Sequence, residues 1–230
     1  MKLGGEGYQI NAANEKAEIL IYDDIGDYYL DGLSAKAFIK DLKAMPKAKE
    51  INVRINSEGG SVFDGITIHN ALKNYQASVN VMIDGLAASI ASVIAMAGDT
   101  IEMAENAFMM IHDPWLVTAG SADDLRKVAE EMDMIRESLL DTYVKRTGGD
   151  KKKISDMMHA ETWMNAETAM ELGFADTLTD ARQIAAKIDP ARFRHTPDAL
   201  MKQQPPATPR KDSMKHDLAS IDTRLRKLKI

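Results

Sequence analysis

Ile51-Asn-Val-Arg-Ile-Asn-Ser-Glu-Gly-Gly60 is the stretch from which the architecture follows. Its first five residues alternate apolar and polar, the period of a half-buried strand. The paired glycines that close it supply backbone angles other residues avoid. A helix is expected from about Val62 to Asn74, with Val62, Ile66, Ala71 and Leu72 available for burial. Val79, Val81 and Ile83 repeat the strand pattern, Gly85 the turn, and Leu86–Gly98 the helix. The small residues of that second helix suit close packing on all sides. Strands over Thr100–Met103 and Phe108–Ile111 complete a β-turn-α-β-turn-α-β-β order. That order implies a mixed, mostly parallel sheet with helices beside it.

Towards the N-terminus, Ile19–Tyr22 reads as a short apolar strand. Ser34 caps a helix that carries Phe38 and Leu42 on one face and ends at Pro46. Towards the C-terminus, the longest helix runs from about Ala122 to Thr147. Ser121 and Asp124 form an acidic capping box before it, and Gly148-Gly149 stop it. Leu125, Val128, Met132, Ile135, Leu139 and Tyr143 make its apolar stripe, with a second edge of Met134, Leu140 and Val144. Further helices start near Asp150 and lie between Asn165 and Leu172, and Phe174–Leu178 is the last strand. The reading divides the chain into a main domain over 1–180, a polar proline-containing linker over 181–212, and a basic amphipathic helical tail over 213–230. In that tail Met214, Leu218, Ile221, Leu225 and Leu228 follow a heptad spacing.

The 230 residues hold 45% hydrophobic and 28% charged side chains, an ordinary balance for a globular protein. With no cysteine, disulfide scaffolds, thiolate nucleophiles, zinc–thiolate sites and iron–sulfur clusters are excluded, and a reducing cytoplasm fits. No apolar run near Met1 suggests a secretory signal. Residues 181–230 carry 12 Lys/Arg against 5 Asp, a net +7, which leaves −13 on the rest of a chain whose total is −6. An acidic body repels a phosphate backbone, so nucleic acid is not expected as the main domain's substrate. Val79–Gly98 is nearly uncharged, but Asp84 and Gly85 leave only 14 uncharged residues, Gly85 to Gly98. A membrane span needs roughly 20, and a buried strand followed by a buried helix is the better reading.

Both glycine turns lie between a strand and a helix, where open α/β sheets place ligands. Neither carries a phosphate-loop pattern, so nucleotide binding is not expected and no cofactor or metal is called for. The other anion such turns serve is the transient oxyanion of acyl transfer. Ser89 is expected one turn into the helix after Gly85, and His112 ends the strand Phe108–Ile111 just before Asp113-Pro114. A hydroxyl needs a base to become a nucleophile at neutral pH, and imidazole titrates in the right range. His69, His159, His195 and His216 show no evident partner in the sequence. From chemistry alone Ser89 and His112 are a candidate dyad, each also explicable as a packing serine or a surface histidine.

Three blocks sharpen this: Asn56-Ser-Glu-Gly-Gly60-Ser-Val, Gly85-Leu-Ala-Ala-Ser89-Ile-Ala-Ser, and Met110-Ile-His112-Asp-Pro114. A fourth is Glu161-Thr-Trp-Met-Asn-Ala-Glu-Thr-Ala-Met-Glu-Leu-Gly173-Phe-Ala-Asp176. In this order they resemble the signature segments of the Clp-type proteolytic subunit (ClpP) family of serine peptidases, over roughly residues 15–180. The resemblance implies an α/β fold, the ClpP/crotonase-like spiral of ββα units with a protruding long helix. It also implies serine endopeptidase chemistry through an acyl-enzyme, with Ser89 as nucleophile, His112 as general base, and the N–H groups of Gly60 and Ile90 as oxyanion hole. The family's third member, an aspartate, aligns with Glu161; Asp156 is a local substitute, and Asp113 lies too close to His112 in sequence to reach its ring easily.

The resemblance further implies a protein or peptide substrate and a homo-oligomeric ring, with rings stacked through the long helix. Family members work with a hexameric Clp-type ATPase, but Met1–Lys16 does not match the family's axial loop, so that partnership stays an alternative. Glu161, the Glu-Thr-Trp segment and the basic tail look more like the bacteriophage head maturation proteases, which process capsid and scaffold proteins in the host cytoplasm. Readings from other classes are a crotonase-like acyl-CoA enzyme, which needs no serine at position 89, and a catalytically inactive ring protein.

Overall fold

The computed structural model describes residues 1–5, 7–26, 32–181 and 188–201. The heptad tail over 213–230, with His216, and most of the proline-containing linker lie outside the described residues. The quoted stretch forms β4 in a series of strands that begins with β1 (Lys2–Gly5), β2 (Tyr8–Ala13) and β3 (Lys16–Ile21) and continues, after helix α1 (Ala35–Ala44), into β4 (Glu50–Ser57). Its alternation is real: Ile51, Val53 and Ile55 are fully buried, and the residues between them are partly exposed. Helix α2 (Val62–Lys73), strand β5 (Ser78–Ala88), helix α3 (Ile90–Ala95), and strands β6 (Thr100–Ala104) and β7 (Phe108–Ile111) follow. The chain then forms α4 (Ala122–Thr147), α5 (Lys151–His159), β8 (Thr162–Asn165), α6 (Ala166–Glu171) and β9 (Thr177–Thr179).

The strands make one mixed sheet in the order β1-β2-β3-β4-β5-β6-β9, with helices packed beside it. From β3 to β9 along that order the pairs are parallel, while the β1–β2 and β2–β3 ladders are antiparallel. β5 forks. Asn80–Ile83 pair with β6, and Leu86–Ala88 pair with β7, which carries β8 antiparallel on its other side.

Three sequence expectations change. Gly85 does not end the strand: β5 runs on to Ala88, so Leu86–Ala88 are strand rather than helix. Asp84 resembles a strand breaker, yet its carboxylate accepts from Arg54 Nε and Nη2, both at 2.7 Å, and from the Tyr22 hydroxyl, which keeps it in place. Strand residues covered on both faces show no alternation, so the pattern failed there. Ser89 accordingly precedes the first helical residue instead of sitting one turn inside. Second, β1 and β2 were not anticipated; β2 buries Tyr8, Ile10 and Ala12 with polar residues between. Third, the α4 stripe is covered only near its C-terminal end, where Leu139, Leu140 and Tyr143 are buried, whereas Leu125 and Met134 are exposed.

Residues 188–201 also depart from a free linker. Ile188 and Leu200 are buried against Leu86, Ala88 and Met110 on the face of the β5–β7 fork turned away from the main core. Among the described residues no helix is long and apolar enough to cross a membrane.

Candidate active site

The turn after β4 is built by short side chains. Ser57 Oγ donates to Asp23 O at 2.6 Å and accepts from Gly59 N at 3.1 Å, and the Ser61 side chain caps α2 by accepting from Asp64 N. Gly59 (φ 94°) and Gly60 (φ 144°) both occupy backbone angles that side chains disfavour. A Cβ on Gly59 would lie 2.7 Å from Ala88 O and 2.8 Å from Ser89 Cβ, and one on Gly60 would lie 2.1 Å from Ile25 O. Gly60 bridges Ile25 through its neighbours: Ile25 N donates to Gly59 O at 2.8 Å and Ser61 N donates to Ile25 O at 2.7 Å. That pattern leaves the Gly60 N–H out of the bridge. Ile90 is the first residue of α3, where a helix has no internal acceptor for the N–H. Ile90 N lies 3.1 Å from the position a Gly59 Cβ would take, so the glycine turn and the start of α3 abut.

Ser89 joins β5 to α3 at φ 54° and ψ −128°, a conformation rare for a residue with a side chain. Its main chain is held at both ends. Ser89 N donates to Met110 O at 2.9 Å on β7, and Ser89 O accepts from Ser92 N at 3.0 Å and Ser92 Oγ at 2.6 Å. Tyr143 OH, fully buried on α4, lies 2.8 Å from Ser92 Oγ. Since Ser92 gives its one hydroxyl proton to Ser89 O, Tyr143 is the donor in that pair. The strained elbow projects Ser89 Oγ to 2.7 Å from Nε2 of His112, the residue that follows β7.

Burial pushes the His112 pKa below its ordinary 6.5, against the carboxylates of Glu161 and Asp113, which favour the cation. The site therefore holds a mostly neutral imidazole near pH 7. Asp113 does not orient the ring: its carboxylate accepts from Arg136 Nε at 2.6 Å and faces His159 Nδ1 at 3.0 Å. Asp156 is exposed and paired with Lys152. His69 faces Asn70, and His195 contributes a main-chain N–H to Glu161, so neither ring takes a place beside Ser89.

Glu161 is 8% exposed and sits close enough to His112 to act on its charge, but no described hydrogen bond joins the two. Its carboxylate is taken up elsewhere. Oε1 accepts from Arg194 N at 2.8 Å, His195 N at 2.7 Å and Trp163 Nε1 at 3.4 Å, and Oε2 accepts from Arg194 N at 3.0 Å. Burial alone would raise the Glu161 pKa, but the amides of Arg194 and His195, together with the Trp163 N–H and the charge of His112, hold the carboxyl below the usual range. The sequence reading missed these amide donors, together with Ser92 and Tyr143. A serine three residues after Ser89 was the only local signal for Ser92, and Tyr143 had been assigned to the helix stripe. Among the described residues no three His, Asp, Glu or Cys side chains gather into a cluster able to hold a metal.

A serine hydroxyl against a neutral imidazole, with main-chain N–H groups from two abutting turns, can generate an alkoxide nucleophile and receive an oxyanion. The family model described as Clp protease matches residues 6–182 of the chain.

Proposed function

The chain belongs to the Clp protease family, and on that premise we propose that it is a serine endopeptidase working through an acyl-enzyme. Family membership implies a peptidase, a hydrolase acting on protein substrates. In the proposed mechanism Ser89 Oγ attacks the substrate carbonyl carbon while its proton passes to His112 Nε2. The negative charge that develops on the carbonyl oxygen is received by the N–H groups of Gly60 and Ile90. Collapse expels the amine, which takes its proton from His112, and water then repeats the sequence to release the acid and restore Ser89. Glu161 is the proposed orienting carboxylate for His112 Nδ1, a role that requires it to turn from the amides of Arg194 and His195.

The observation that carries this reading is the 2.7 Å approach of Ser89 Oγ to His112 Nε2. A crotonase-like acyl-CoA enzyme has no use for that pair. Labelling with a fluorophosphonate should modify Ser89, and Ser89→Ala should abolish both labelling and fluorogenic peptide turnover. Undiminished turnover by Ser89→Ala would remove the assignment.

Members of the family form oligomeric rings, and we infer that this chain does so through α4. Support comes from exposed apolar side chains before and along that helix: Trp115, Leu116 and Val117 ahead of it, Leu125 in its first turn and Met134 at its midpoint. This corrects the expected contact edge, because Leu140 is buried in the chain's own core and Val144 is half-buried against it. Glu161 at the third position and the basic C-terminal sequence support, as natural substrates, the capsid and scaffold proteins of a phage prohead. Incubating the purified chain with assembled proheads and following capsid-protein cleavage on gels tests that assignment; intact capsid protein alongside active peptide turnover would reject it.

A further inference from the structure

Five separate contacts tie residues 188–200 to the surface around Ser89 and His112. Asp189 N donates to Glu58 Oε1 at 2.5 Å. Arg192 Nη1 lies 2.5 Å from both Asp24 Oδ1 and Glu58 Oε2. The Phe193 ring packs edge-on against Trp163 at 5.2 Å and lies 6.4 Å from the His112 ring. The next two amides fill the Glu161 carboxylate, and Leu200 closes the segment in its apolar pocket. The segment is not a continuous strand, since Pro190–Arg192 form one 3-10 turn and Asp198–Met201 one helical turn, but apolar side chains and main-chain N–H groups reach the protein from it as they do from a bound peptide.

The acidic pair points the same way. Asp24 and Glu58 are both buried, and Glu58 directly precedes the Gly59–Gly60 turn. Two neighbouring buried carboxylates are costly unless a cation answers them, and among the described residues Arg192 is the cation that does so. Without that guanidinium the pair is a receptor for another one.

We propose that residues 188–200 occupy, within the same chain, a peptide-binding surface beside Ser89 and His112, with Asp24 and Glu58 as its receptor for an arginine side chain, and that the docked segment holds Glu161 away from His112. The ligand class is a short peptide that turns at an arginine and continues into an aromatic residue. Only the consequence for catalysis rests on the peptidase reading above. Release of the segment opens the surface and frees the Glu161 carboxylate for Nδ1 of His112.

The test uses the full chain. Leu200→Asp removes an apolar anchor without touching the acidic pair, and Arg192→Ala removes the cation. In both, amide hydrogen exchange over 188–201 should accelerate, and fluorophosphonate labelling of Ser89 should rise by at least about tenfold, the gain expected when a site occupied roughly nine times in ten is vacated. A synthetic peptide of residues 188–201 should reverse the gain, and the same peptide with Arg192→Ala should need about ten times the concentration. Faster exchange with unchanged or slower labelling overturns the proposal and leaves the peptidase reading standing. So does exchange that neither variant alters. If Ser89 is unreactive in every form, the peptidase reading fails, and fluorescence anisotropy of the labelled peptide on Leu200→Asp decides the surface alone: saturable, arginine-dependent binding supports it and no binding overturns it.

Discussion

A methyl group on Gly59 would press on Ala88 O and on Ser89 Cβ, both closer than 3 Å, at a φ of 94° that alanine disfavours. Gly59→Ala therefore separates the glycine turn from the serine elbow, and displacements near 1 Å cost about 100-fold in rate. Peptide turnover by the variant should fall by that order, measured beside a circular-dichroism spectrum that reports a retained fold. The pH response belongs to His112. Its proton-free form is the one that accepts from Ser89, and burial lowers its pKa below 6.5, so the acid limb of kcat/KM should lie below pH 6.5. Because the unfolded chain takes up that proton first, His112 also removes stability as pH falls below about 6.5, down to its folded value. Glu161→Gln deletes a charge that favours the cation and should move the limb lower still; a limb shifted upward would contradict the assigned electrostatics. Ser89 and His112 were legible because each sits in a short motif. The partners of Glu161 were not, since Arg194 and His195 come from more than 30 residues away with no local period to announce them.

Among the elements, α4 was read to its ends because caps are local chemistry. The capping box of Ser121 and Asp124 and the left-handed Gly148 need only neighbours in sequence. β5 was misread for the opposite reason: its last residues are strand because β7 pairs with Leu86–Ala88 and Ser57 of β4 pairs with Ala87, facts no window of sequence contains. The helix also reaches the nucleophile. Tyr143 on α4 donates to Ser92, which holds the carbonyl of Ser89. Tyr143→Phe leaves the packing and removes one buried hydrogen bond, worth about 1 kcal/mol. Denaturant melts should show that loss, accompanied by a lower kcat at unchanged KM. A KM effect with kcat intact would separate Tyr143 from the elbow.

At the scale of the molecule, the chain leaves Trp115, Leu116, Val117, Leu125 and Met134 in solvent ahead of α4 and along its N-terminal half. Leu125 and Met134 lie nine residues apart and so on opposite faces of the helix, and large apolar side chains left in solvent on both faces suit a helix that meets partners. Sedimentation velocity of the native chain should give a ring-sized particle, and Leu125→Asp with Met134→Asp should shift it to smaller species; a native monomer at micromolar concentration would exclude assembly through this helix. Periodicity placed Leu125 on the apolar stripe and Met134 on its second edge but did not say that the stripe outruns the core meant to cover it, and Trp115, Leu116 and Val117 precede the helix and fall outside its period.

The fork in β5 gives the molecule two seams of different strength. One half of the strand is knitted into the parallel sheet on both sides; the other keeps a single pairing to β4, Ser57 with Ala87 past a bulge, and otherwise grips the short β7 and β8 arm that delivers His112. Warming should part the weaker seam first, silencing turnover several degrees before the far-ultraviolet signal collapses, because local opening draws on fewer contacts than global melting. Parallel activity and circular-dichroism melts would measure the gap, and coincident midpoints would mean that both seams give way together.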